Sequence, residues 1–216
     1  MREPWPRTES VALAVQDALR PQARPGPLPA APATVAGLDV AYDGDRLAAA
    51  VVVLDAADLT VRDTAVVLGR PAFPYVPGLF AFREIPALLD ALERLTVRPD
   101  VLICDGHGLA HPRRFGLAAH LGVLTDVPSF GVGKTRLVGD WEAVGEQRGA
   151  RSPLIDAGEE VGAVLRTQAR VRPVFVSVGH RIDLAEACDL TLALTPRYRL
   201  PETTRAADRA CRDRIT

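Results

Sequence analysis

The sequence predicts an α/β fold with a mixed central β-sheet flanked by helices. Three observations carry this. Strand-like segments follow one another with short turns between residues 35 and 68, the pattern of an antiparallel meander. Beyond them, helical stripes alternate with short apolar runs, as in sheets whose strands are joined through helices. Composition stays in one regime over 216 residues, 48% hydrophobic and 25% charged, with no internal repeat, so one globular domain is expected rather than a disordered chain or an array.

Residues 9–20 read as a short amphipathic helix that Thr8 or Ser10 can cap. Pro21, Pro25, Pro27, Pro29 and Pro32 then exclude helix and central strand, which leaves a linker or a wrapping arm. Residues 1–34 are accordingly expected to pack on a main domain of residues 35–216. Val35–Tyr42, Leu47–Leu54 and Thr60–Leu68 are three strands. The unbroken apolar run of the second predicts burial on both faces, and Asp43-Gly44-Asp45 supplies turn chemistry before it. The loop Pro71–Gly78 precedes a helix over Leu79–Leu95, with Phe82, Ile85, Leu88, Leu89 and Leu92 on its apolar stripe. Pro86 belongs in the first turns of that helix or kinks it. Further strands are expected at Asp100–Cys104, Ser129–Val132, Val161–Gln168 and Val174–Val178, and further helices at Arg114–Leu124, Leu184–Leu194 and Thr204–Arg212.

Several functional classes are disfavoured. No apolar run approaches the ~18 residues of a membrane span, and Met1–Trp5 lacks the apolar core of a secretory signal, so no membrane partner is expected. Cys104, Cys188 and Cys211 are odd in number and without CxxC spacing. That argues against a disulfide framework or zinc knuckle and for a reduced, cytoplasmic setting. A net charge of −1 removes any global argument for nucleic acid, so such contacts must come from local clusters such as Arg113-Arg114, Arg166–Arg172 and Arg197–Arg214. Lys134 is the sole lysine among 26 Lys and Arg residues. Where Arg serves wherever charge suffices, a retained Lys points to a compact ammonium; chance survival is the alternative.

The chemistry-bearing residues sit at element ends. Asp39 lies in an apolar strand, where an unpaired carboxylate is expensive to bury. Asp105 ends the Asp100–Cys104 strand, and Glu84 starts the intervening helix beside Arg83, which offers it an ordinary ion pair. Singly each acid has a structural reading. Together, two Asp from adjacent strands and a Glu from a covering helix can converge on a hard cation such as Mg²⁺ or Mn²⁺. His107 and His111 are four residues apart, but Gly106, Gly108 and Pro112 oppose the helix a zinc pair needs. A Gly-His-Gly loop instead lets backbone N–H groups approach a ligand. Tyr75, between Pro74 and Pro77, is either a core anchor or a ring held outward as a wedge. Lys134 follows the Ser129–Val132 strand without P-loop spacing.

These strings resemble the endonuclease V family from about Val35 to Asp208. The likeness rests on Val35–Val40, on Pro74-Tyr75-Val76-Pro77-Gly78 running into Phe82-Arg83-Glu84, and on Asp105-Gly106-His107-Gly108 continuing to His111-Pro112-Arg113-Arg114. Gly131–Lys134, Val178–Arg181 and Leu200–Asp208 extend it. The resemblance implies an RNase H-like fold. It implies Mg²⁺-dependent hydrolysis, with Mn²⁺ as substitute, of the second phosphodiester 3′ to deoxyinosine, leaving 3′-hydroxyl and 5′-phosphate ends. Asp39 and Asp105 then correspond to metal ligands and Glu84 to the third catalytic acid. His111 and Lys134 correspond to auxiliary groups near the water and phosphate, and Tyr75 to the wedge. Gly78, Phe80, Gly106, His107 and Gly108 correspond to the base pocket, with Gly116 and Leu117 as additions; Asp208 has no settled role. The implied partner is deoxyinosine-containing DNA, single- or double-stranded, bound by a monomer. Inosine-containing RNA cut by the same site, or a non-catalytic nucleic-acid binder on the same fold, are the alternatives.

Overall fold

The computed structural model describes residues 5–215, so the reading of Met1–Pro4 lies outside the described residues. Helix α1 (Glu9–Leu19) is capped by Thr8, whose hydroxyl accepts from the Val11 N–H. A single 3₁₀ turn, Arg20–Gln22, leads into the extended proline-rich stretch. Strands β1 (Thr34–Asp43), β2 (Arg46–Asp55) and β3 (Val61–Gly69) then form the antiparallel meander. Leu47–Leu54 of β2 is buried throughout, as its apolar run predicts.

After the meander come α2 (Ala81–Glu93), β4 (Val101–Cys104), α3 (Leu117–Thr125) and β5 (Ser129–Gly133). The chain continues through β6 (Arg151–Asp156), β7 (Glu159–Leu165), β8 (Val174–His180), α4 (Leu184–Ala193) and α5 (Glu202–Ile215). All eight strands join one sheet in the order β3-β2-β1-β4-β5-β8-β7-β6. β4 lies parallel to β1 and to β5, and the other pairs are antiparallel, so the sheet is mixed. Helices cover both faces. Ile85 and Leu88 of α2 pack with Ala36 and Leu38 of β1, whereas Ala207 and Cys211 of α5 pack with Val35 on the other face.

Helix α2 starts at Ala81 rather than Leu79, β7 runs Glu159–Leu165 rather than Val161–Gln168, α5 runs Glu202–Ile215 rather than Thr204–Arg212, and two further elements depart from the sequence reading. Helix α3 begins at Leu117 rather than Arg114. Arg114 has a φ of 55°, held by Glu159 and by the His111 carbonyl, and Gly116 donates its N–H to the Gly108 carbonyl. These residues therefore build a loop before the helix can start. Strand β6 has no counterpart in the reading, because only Ser152 and Leu154 are buried and Pro153 interrupts it. As the last strand of the sheet it tolerates that proline.

Pro86 sits at the sixth residue of α2, where its missing N–H leaves the Phe82 carbonyl without a helical partner. The Trp5 indole N–H fills the gap at 2.8 Å. An unmet buried acceptor costs about 1–3 kcal/mol, so this bond ties the N-terminal segment to the helix that carries Glu84. Trp5, Phe82 and Phe115 also surround His120, whose two ring nitrogens are buried with no partner among the described residues.

Burial pushes the His120 pKa down to about 3. The unfolded chain binds that proton near pH 6.5, so the stability this group contributes is complete above pH 6.5 and is lost as pH falls toward 3. Between pH 7 and pH 5 the loss is about 2 kcal/mol. Urea unfolding of His120→Phe at the two pH values should show a smaller fall in midpoint than the parent; an equal fall would place the pH sensitivity elsewhere.

Candidate functional site

The register between β1 and β4 sets the site. Leu38 and Cys104 form the last matched pair of these parallel strands, and the Asp105 N–H still reaches the Leu38 carbonyl at 3.3 Å. Asp39 and Asp105 therefore leave neighbouring strands side by side. Burial, reinforced by the charges of Asp105 and Asp208, pushes the Asp39 pKa up to about 7 against the opposing Val40 N–H and Lys134. Helix α5 closes over this face because residue 37 is glycine; any side chain there would run into the Thr203 carbonyl. The same helix delivers Asp208 to a cavity it shares with Asp39, and Arg212 holds it at 2.9 Å.

Glu84 reaches the carboxylates from α2, on the opposite face of the sheet. It is 5% exposed and accepts the Tyr42 hydroxyl at 3.0 Å. Burial is the main cause that pushes its pKa up to about 8; the Tyr42 bond opposes this and the Asp39 and Asp105 charges add to it. Arg83 lies 4.8 Å above the Tyr42 ring and donates to the Phe73 carbonyl at 3.1 Å. Tyr42 went unmarked in the sequence because a tyrosine on a half-buried strand carries no distinct signal.

Lys134 follows β5 and pairs with Asp105. Its burial disfavours the ammonium, but the Asp105 bond and the Asp105, Asp39 and Asp208 charges prevail and raise its pKa. It lines both acidic cavities and also a third cleft of about 420 Å³ that Asp105 shares. The cleft is lined by Tyr75, Gly78 and Phe80 from the loop before α2, by Gly106, His107 and His111 from the loop after β4, and by Gly116 and Leu117 at the start of α3. Tyr75 is 69% exposed, with Phe80 meeting it edge-on at 6.2 Å, so the ring projects rather than anchors the core.

Burial disfavours the charged form of both histidines of the cleft. Burial lowers the pKa of His107, whose Nε2 meets the Thr135 carbonyl at 3.1 Å. Burial likewise pushes His111 down to about 4. The Arg113 N–H donates to His111 Nδ1 at 3.2 Å, and the Gly78 backbone opposes the effect of burial on His111. His111 lines the cleft and neither acidic cavity. Gly108 does not line the cleft. Its N–H goes to Ser177 Oγ at 2.8 Å and its carbonyl accepts from Gly116, so both groups are used within the fold. Asp39, Asp105 and Lys134 border the cavities beside α5, and Tyr75, Gly78, Phe80, Gly106, His107 and His111 line the cleft; Glu84 lines none of these cavities and is felt by Asp39 and Asp105 through its charge.

The acidic compartment fits a hard divalent cation. Its donors are carboxylate oxygens, and Asp39 and the nearby Glu84 are driven toward neutrality by burial and mutual repulsion, which a bound cation would reverse. Among the described residues no three acidic, His or Cys side chains form a ready-made cage. Asp39 and Asp105 would hold such an ion and leave its other positions to water and a substrate oxygen.

Comparison with known proteins places the chain in a family. The family described as Endonuclease V matches residues 18–209. An endonuclease V of Streptomyces avermitilis is 56% identical over 213 residues, covering 96% of this chain and 93% of that protein. A crystal structure of the S. avermitilis enzyme superimposes with a TM-score of 0.94 at 54% identity, covering 99% of this chain and 95% of that one. A Ciona intestinalis endonuclease V, solved with a 24mer DNA containing an inosine followed by a ribo-adenosine, shares the fold with a TM-score of 0.83 at 24% identity, covering 96% and 98% of the two chains.

Tyr42→Phe removes the donor that favours ionised Glu84, so the Glu84 titration midpoint should rise further. Carboxyl ¹³C NMR against pH checks this, and an unchanged midpoint would show that the Tyr42 bond does not act on Glu84.

Proposed function

The chain belongs to the endonuclease V family, with the RNase H-like fold of that family, and on that premise we propose that it is a DNA repair nuclease directed at deoxyinosine. The proposed reaction is hydrolysis of the second phosphodiester 3′ to the lesion, with Mg²⁺ as cofactor and Mn²⁺ as substitute, leaving 3′-hydroxyl and 5′-phosphate ends. The observation that carries the reading is the joining of the compartments: Lys134 borders the cleft and the two cavities beside α5, and Asp105 borders the cleft and one of those cavities. A base held in one and a phosphate held in the other would belong to the same strand. Inosine-containing DNA held by the Ciona intestinalis relative supports the substrate class. The enzyme is taken to act as a cytoplasmic monomer, and its three buried free cysteines suit a reducing compartment.

In this reading the base leaves the stack before it is read. Hypoxanthine differs from adenine by a C6 carbonyl and a protonated N1, an edge accessible only once the nucleotide is extruded. Extrusion costs a few kcal/mol, less at a mispair, which itself favours the lesion. Backbone groups around Gly78 and Gly106 face the base, and burial disfavours the charged forms of His107 and His111 beside it. Tyr75 fills the gap left in the stack.

At the phosphate, Asp39 and Asp105 would hold the cation, which would supply charge to polarise the phosphate and to lower the pKa of a water. The Lys134 ammonium steadies a phosphate oxygen. The Glu84 carboxylate, poised near neutrality and fixed by Tyr42, accepts the proton of the attacking water.

The direct test is cleavage of paired DNA and RNA oligonucleotides, each with one inosine, in Mg²⁺ or EDTA. A Mg²⁺-dependent nick at the second phosphodiester 3′ to inosine is expected in DNA. Asp39→Ala and Asp105→Ala should each lower the rate at least ~10³-fold with an unchanged circular dichroism spectrum, since they remove charge stabilisation of the transition state. Metal-dependent cutting that survives either change would remove that residue from the ligand set. Tyr75→Ala should weaken binding of inosine-containing duplex roughly tenfold and of the single strand much less, because only the duplex needs its stack refilled. Equal losses would exclude the wedge.

A further inference from the structure

The N-terminal helix carries a buried polar side chain that the reaction above does not use. Gln16 is 1% exposed. Its Nε2 donates to the Gly78 carbonyl at 3.0 Å and to the Phe115 carbonyl at 3.2 Å. Gly78 lines the cleft, and Phe115, itself fully buried, directly precedes the lining residues Gly116 and Leu117. From behind the cleft, the amide therefore ties together two chain segments that line it.

The other end of the same amide is telling. Gln16 Oε1 is buried with no partner among the described residues. A side chain needed only to fill space would be apolar there, because a buried unpaired acceptor destabilises the fold. The amide is retained at that cost for its two donors. His111 also lines the cleft beside Gly78, so the Gln16 bond anchors the wedge loop where it meets the loop carrying His111. Gly78 has a φ of 80°, a left-handed conformation in which the carbonyl direction decides where Pro77 and Phe80 stand. Helix α1 is itself fixed to this region by the Asp17–Arg113 ion pair and by Ala12 packing on Phe73, Leu79 and Phe82.

We propose that Gln16 is a positioning residue that clamps, from behind, two chain segments lining the base cleft at the separation hypoxanthine requires, an inference that rests on the reading of the cleft as the base pocket. The clamp is set before the base arrives, so its contribution falls on capture and discrimination of the extruded base. The hydrolytic step is left alone, since the two Gln16 bonds go to Gly78 and Phe115 and not to the carboxylates.

The test compares Gln16→Met, similar in shape but without donors, with the parent on one single strand carrying inosine or adenine. KM for the inosine strand should rise roughly tenfold, with kcat within about twofold and the inosine-over-adenine preference falling by the same factor as KM rises. Leu194→Ala, a buried residue at the end of α4, serves as a destabilised control and should leave both quantities unchanged. Gln16→Glu is the second variant, and it can donate only when protonated. Its KM defect relative to the parent should therefore grow as pH rises. Parental KM and preference in Gln16→Met, equal shifts in Leu194→Ala, or a pH-independent defect in Gln16→Glu would each overturn the proposal. A parent enzyme that does not distinguish inosine from adenine would instead overturn the reading of the cleft, and the clamp with it.

Discussion

Parallel pairing between β1 and β4 is the constraint on which the site depends. Residues matched across parallel strands point to the same face. Where the matched register stops at Leu38 and Cys104, the next residue of each strand is an aspartate, and the two carboxylates are forced together. No rotamer choice is needed to bring them near each other, and no loop has to be ordered. The repulsion is fixed into the sheet, whose packing on both faces keeps the strands from sliding apart. Everything else around the carboxylates answers that repulsion: Lys134 pairs with one of them, and the donor set as a whole suits a divalent cation.

The same burial acts in opposite senses on the two sides of Lys134. In and around the acidic compartment it lifts Asp39 and Glu84 toward neutrality and so holds them ready for a positive charge. In the cleft it disfavours the charged forms of His107 and His111, so the charges there are those of Asp105, Lys134 and Arg136 at its border. One dielectric effect thus separates a compartment suited to phosphate chemistry from one suited to an uncharged ring, within a few residues of chain.

Much of this was legible in the sequence, for identifiable reasons. The meander showed because β2 is apolar throughout, and α2 showed because its stripe is long. The acids stood out because carboxylates are rare in apolar strands. What stayed hidden depends on contacts distant in sequence. The late start of α3 follows from Arg114 reaching Glu159, and the tolerance of Pro86 follows from Trp5 supplying a donor 77 residues away. Gly108 reads like a pocket residue in its Gly-His-Gly string, yet Ser177 and Gly116 take its backbone groups. Edge strand β6 has too few buried side chains to signal itself.

Lys134 has a practical consequence outside catalysis. It is the sole lysine of the chain and its side chain is 46% exposed, while all three cysteines are buried. An amine-directed acylating reagent therefore finds one side-chain target, at the junction of the two compartments. A lysine-specific protease likewise has one sequence target, just beyond the end of β5. Labelling and scission at that single point would report, without any engineered tag, how often the junction opens and how far an occupant closes it.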